Sequence, residues 1–185
     1  MAASLAPHIE MPLGIVVRKT PGVTRWVKWN WRPVAVLPGA PPADWSEMRR
    51  EENAVEYHAA TVPLVLWRAE TEAYLANLTD RIPSIYVILR DADDGDVPFS
   101  VLLATASPYE GQDYADSGED IVEKVPMPEG LVAWVRDYVT LNHTEEPFVK
   151  RRRDKKRIDL SEDGVGDSRI RQTSDVYRAP RRRLS

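Results

Sequence analysis

From Leu131 to Leu141 the apolar residues recur with the period of an α-helix. At about 100° per residue, Leu131, Val132, Trp134, Val135, Tyr138, Val139 and Leu141 fall on one half of the cylinder, opposite Ala133, Arg136, Asp137 and Thr140. Pro128 suits the first turn, where its missing N–H costs nothing, and Asn142 suits a left-handed stop. A helix with so wide an apolar half needs a partner layer to cover it. The preceding chain reads as sheet able to supply one.

Just upstream, Ser107-Pro108-Tyr109-Glu110 predicts a second, acidic helix: a serine cap, proline at the first position and glutamate at the third. Gly118 ends it, and Ile121–Val125 is a short strand. Nearer the N-terminus, Leu13–Lys19 reads as a strand closed by Pro21-Gly22. Arg25–Leu37 reads as a longer one, with Val27, Trp29 and Trp31 on one face and Trp26, Lys28 and Asn30 on the other. Pro33 assigns it to an edge or a bulge, because proline cannot donate to a central ladder. Asp44 with Glu47 three residues on resembles a capping box and predicts a short helix to about Glu51. Val55–Ala60, Pro63–Arg68 and Glu72–Leu78 read as antiparallel strands. Ile82–Arg90 and Val97–Ala106, joined by Asp91–Asp96, predict the central hairpin.

The predicted fold class is therefore α+β, mainly β. It is an antiparallel sheet or half-open barrel of about seven or eight strands, packed by one C-terminal amphipathic helix. In element order it resembles a pleckstrin-homology-like barrel, a scaffold that serves many binding roles. Residues 1–10 are expected to be a loose N-terminus, 11–144 the β-rich domain, and 145–185 a basic extended tail, disordered or ordered on a partner. From Lys150 to Ser185 the chain carries thirteen Lys and Arg against six Asp and Glu, a balance of +7 that leaves −11 for the remainder. An acidic body thus carries a basic tail.

Several function classes lose their parts here. The chain has no cysteine, which removes disulfides, iron–sulfur ligation and a cysteine nucleophile. No apolar run is long enough to span a bilayer, and the first ten residues lack the pattern of a secretory signal, so a cytoplasmic location is expected. His8, His58 and His143 are too scattered for a zinc site or a catalytic triad. Asp91–Asp96 fails as a calcium loop for want of the closing glutamate. No glycine-rich phosphate loop occurs. Catalytic residues, metal ligands and a cofactor are therefore not assigned.

Three features could bind a partner. Glu110, Asp113, Asp116, Glu119, Asp120 and Glu123 crowd one acidic region beside Tyr109 and Tyr114. They read as a solvated helix end, as a magnesium-binding acid–base set, or as a receiver for a basic partner. Trp26, Trp29 and Trp31 offer tryptophan anchors on at most one free face. The run from Lys150 to Arg157 could contact phosphates, but an acidic body repels nucleic acid, so a protein partner fits better.

Met11-Pro12-Leu13-Gly14, Trp31-Arg32-Pro33-Val34-Ala35-Val36-Leu37-Pro38-Gly39-Ala40, Glu70-Thr71-Glu72-Ala73-Tyr74, Ser107-Pro108-Tyr109-Glu110, Asp116-Ser117-Gly118-Glu119-Asp120 and Glu146-Pro147-Phe148-Val149-Lys150-Arg151-Arg152 resemble the bacterial family called domain of unknown function 3305. The likeness continues into Asp167-Ser168-Arg169-Ile170-Arg171-Gln172. It implies a gene neighbourhood with molybdenum-dependent formate dehydrogenase, where some relatives are named for molybdopterin-guanine dinucleotide biosynthesis. A guanylyltransferase of the usual type needs a glycine-rich nucleotide loop opening a parallel α/β domain, and this chain opens otherwise. The expectation is a non-catalytic accessory or assembly protein that binds formate dehydrogenase subunits or their maturation factors, with an enzyme of molybdenum cofactor metabolism as the alternative. The residues expected to meet the partner are Trp29, Arg32, Tyr109, Glu110, Asp113, Tyr114, Glu119, Asp120, Lys150, Arg151, Arg152, Arg153, Arg169, Arg171 and Tyr177.

Overall fold

The computed structural model describes residues 7–92 and 97–144. Among these residues, seven strands form two antiparallel sheets. The larger contains β1 (His8–Pro21), β2 (Trp29–Pro38), β3 (Asp44–Glu51) and β4 (Ala54–Trp67), in the order β2-β1-β4-β3. The smaller contains β5 (Ser84–Asp91), β6 (Phe99–Thr105) and β7 (Ile121–Pro126), in the order β6-β5-β7. β2 lies against β7 and β4 against β6, without closing a barrel. The strands expected to form one antiparallel sheet or a half-open barrel are divided between two antiparallel sheets, of four and three strands.

β1 alternates around Leu13, Ile15 and Val17, all fully buried, and pairs with β4 from His8 onward. The N-terminal segment expected to be loose up to residue 10 therefore enters the sheet at His8, where the imidazole packs 4.7 Å from the Trp67 ring. Pro33 sits as its sequence suggests: β2 is an edge strand, and its register against β1 shifts between Val16 and Val17, opposite Ala35 and Pro33. Two strands expected over 55–68 are one. Pro63 opposes Pro12 beyond the last β3 pair, Asp44 with Ala60, so its missing N–H has no outer neighbour to serve.

Two expectations reverse. Asp44–Glu51 is an edge strand, not a helix: β4 offers an open edge, and Glu52-Asn53 closes a tight hairpin with Glu51 opposite Ala54. Glu72–Leu78 lies within a helix, α1 (Thr71–Thr79), entered through a 3-10 turn at Arg68–Glu70. Its buried positions include Thr71, Tyr74 and Asn77, one per turn. Asn77 is fully used. Its Nδ2 donates to the carbonyls of Ser84 (2.8 Å) and Ala106 (2.7 Å), and its Oδ1 accepts from the Ser84 N–H (3.0 Å).

α2 (Pro108–Ser117) starts on the Ser107 hydroxyl, which accepts from the Glu110 N–H at 3.3 Å, and ends at Gly118 in the left-handed region. α3 (Glu129–Asn142) contributes Leu131, Val135, Tyr138 and Val139 to the same buried cluster as Leu13, Ile15, Ile85 and Val87. Its buried stripe is narrower than the sequence suggests, and Leu141 is exposed. Asn142 does not stop the helix in a left-handed turn. It stays helical and buried, its Nδ2 donating to the Tyr138 carbonyl at 2.9 Å, and the cap falls on His143.

Candidate functional site

Two surfaces carry the residues with binding potential. The first is built on the β1–β2 hairpin. Lys19 on β1 faces Trp29 and Trp31 on β2, its ammonium 4.5 and 4.6 Å from the two ring centres. Trp31 continues inward to Trp45 (5.7 Å, edge to face) and Tyr57 (5.8 Å), and Trp45 reaches Phe99 at 5.8 Å. This aromatic chain anchors the base of the hairpin. It also holds Trp45 at φ 44°, a backbone region that costs a non-glycine residue about 1–3 kcal/mol. Outward from Trp29, the connecting loop leaves Trp26 94% and Val23 98% exposed.

The second surface is a cleft of about 320 Å³ between α1 and α2, lined by Glu70, Glu72, Tyr109, Glu110 and Asp113 among others. One lining carboxylate, Glu70, is held by the buried Tyr74, whose hydroxyl accepts from the Trp67 N–H at 3.0 Å and donates to Glu70 Oε2 at 3.1 Å. Burial, and then the Glu70 carboxylate, push that hydroxyl well above the ordinary tyrosine range. No group of three or more His, Asp and Glu among the described residues is arranged to hold a metal ion.

The residues expected from sequence separate. Tyr109, Glu110 and Asp113 do share the cleft. Asp120 is instead engaged by Arg90 through two hydrogen bonds of 2.8 and 3.0 Å, which hold its carboxyl below the usual range. Glu123 pairs with Arg32 at 3.5 Å, so Arg32 ties β2 to β7. Glu119 is exposed and Tyr114 half-buried, and neither lines the cleft. Trp29 lies on the hairpin, apart from these acids. Lys150, Arg151, Arg152, Arg153, Arg169, Arg171 and Tyr177 lie outside the described residues.

Two of the histidines each contact a threonine hydroxyl. The Thr61 hydroxyl donates to the Pro41 carbonyl at 2.7 Å, so it accepts from His58 Nε2 at 2.9 Å, which assigns that nitrogen its proton. His143 Nδ1 lies 3.1 Å from the Thr71 hydroxyl.

The contact residues expected from sequence left out Trp26, named there only as one of three tryptophan anchors, together with Val23 and Lys19 on the hairpin and Glu70 and Glu72 in the cleft. A signal was present for the first three. From Met11 to Ala43 there is no Asp or Glu, yet this stretch holds five Lys and Arg and three of the six tryptophans.

A family model described as protein of unknown function DUF3305 matches residues 12–152. The chain belongs to this family. Both surfaces of this DUF3305 protein fall inside the matched range. No curated protein and no solved structure matches it. No helix among the described residues is long and apolar enough to cross a membrane.

Proposed function

We propose that this DUF3305 protein is a non-catalytic accessory or assembly factor that works by binding another protein, and that its partner is a molybdenum-dependent formate dehydrogenase or one of its maturation factors. The observation that carries the binding reading is the display of Trp26 at 94% exposure on an ordered hairpin. Tryptophan is a favoured interface anchor, and an ordered one costs little further entropy on binding. The dehydrogenase as partner rests on the family resemblance and its implied gene neighbourhood. On the enzymatic side, Asp120 and Glu123, two of the carboxylates that could have formed an acid–base set, are held by Arg90 and Arg32.

The test is copurification. The full-length protein, tagged in its native cells and isolated at moderate salt, is expected to bring down dehydrogenase subunits or a cofactor-insertion protein. Recovery of neither would overturn the assignment of partner. Calorimetry supplies a second arm: magnesium-dependent heat with GTP or ATP would move the protein to cofactor chemistry.

A further inference from the structure

The β1–β2 connection is built to hold its apex in one shape. Gly22 donates its N–H to the Lys28 carbonyl at 3.1 Å, and Val27 N–H donates to the Thr24 carbonyl at 3.3 Å. The second bond closes a turn with Arg25 and Trp26 at its two central positions. A Cβ on Gly22 would stand 1.7 Å from the Val27 carbonyl oxygen, so only glycine admits this closure. The result is a convex tip that presents Val23, Trp26 and the half-exposed Val27 to solvent.

Charge narrows what could cover it. Arg25 and Lys28 bracket Trp26, and neither forms an ion pair among the described residues. The occupant should therefore be negative around an apolar centre. A uniformly anionic surface such as a membrane or a nucleic-acid backbone fits poorly. The neighbouring β3–β4 turn places Glu51 and Glu52 along the same depression as Thr20 and Pro21, where such a surface would meet carboxylates as well as cations. A protein can set its acids opposite Arg25 and Lys28 alone.

We propose that the apex Val23–Lys28 is the docking element for an acidic protein surface, with Trp26 entering an apolar pocket whose rim carboxylates face Arg25 and Lys28. This rests on the protein-binding reading above and names its contact point and the chemistry of its partner. Full-length protein with benzoylphenylalanine in place of Trp26 is irradiated in native cells, and the crosslinked species is identified by mass spectrometry. The expected product is a protein peptide rich in Asp and Glu.

Once that protein is purified, Trp26→Ala and the double variant Arg25→Glu/Lys28→Glu are each expected to weaken its binding by about tenfold or more. Reversing the partner's acids should restore the double variant. Neither variant touches the core, so their melting curves should match the wild type. A crosslink to lipid or nucleic acid, a peptide without acids, no crosslink, or unchanged affinity in both variants would each overturn the proposal. Dehydrogenase captured equally well by Trp26→Ala would sink the hairpin assignment while leaving the accessory role standing. Failure of the wild type to capture any protein would remove the accessory role itself.

Discussion

Tyr74 is fully buried, and its hydroxyl joins two stretches of chain: it receives the Trp67 N–H at the end of β4 and donates to Glu70 one turn earlier on the same helical segment. Tyr74→Phe keeps the ring but leaves the Trp67 N–H without its acceptor. The expected loss is about 1–3 kcal/mol at neutral pH, read by denaturant unfolding. The hydroxyl also fixes a sign for alkaline pH. Its folded pKa is raised by burial above the ordinary value of about 10, so the neutral form is favoured by folding. That contribution is complete below pH ~10 and declines as pH rises toward the folded value, because the unfolded chain ionises first. The stability gap between wild type and Tyr74→Phe should therefore narrow from pH 8 to pH 11. A constant gap would mean that the hydroxyl ionises equally in both states.

Glycines at two helix positions make opposite predictions for their elements. A Cβ on Gly111 would lie 2.6 Å from the Tyr86 ring, so α2 packs on β5 through the absence of a side chain. Gly111→Ala should push the helix off the sheet and cost about 1–3 kcal/mol, outweighing the gain in helix propensity of about 1. Gly130 in the first turn of α3 meets nothing within 4 Å, and Gly130→Ala should stabilise by up to about 1 kcal/mol. Thermal unfolding of the two variants checks both signs. The elements also show which signals in a sequence are local. The start and end of α2 were readable because Ser107, Pro108 and Gly118 act on their own turns. The edge position of β2 was readable because a proline has no N–H wherever it sits. β3 was not, since Asp44 and Glu47 imitate a helix cap and only the distant edge of β4 decides otherwise. α1 was hidden by its own polar interior: Thr71 and Asn77 are buried where a periodicity search looks for apolar residues. In the candidate site, Tyr109, Glu110 and Asp113 could be grouped because they share one helix. Trp26 was assigned to a strand face because alternation was carried through what is a loop, whose turn leaves that side chain exposed at the tip.

Across the whole molecule, positive charge is concentrated in two stretches of an otherwise acidic chain: the acid-free segment Met11–Ala43 and the segment from Lys150 to Ser185. Separation of this kind sets up complementary fields that speed encounter and select partners more than they add raw affinity. A partner that meets both stretches must present acids to each, and its capture must weaken as salt screens them over a Debye length of about 8–10 Å. The tail's share can be isolated in the full chain by changing Lys150, Arg151, Arg152 and Arg153 together to glutamate. If the tail is a contact arm, recovery of the captured partner at physiological salt should fall about tenfold or more, and what remains should depend less steeply on salt. If recovery and salt dependence are both unchanged, those four cations make no contact. The hairpin is then the next cationic contact to test, since Arg25 and Lys28 form no ion pair among the described residues and flank the exposed Trp26, while Arg18, Arg32, Arg49, Arg50 and Arg90 are engaged by carboxylates.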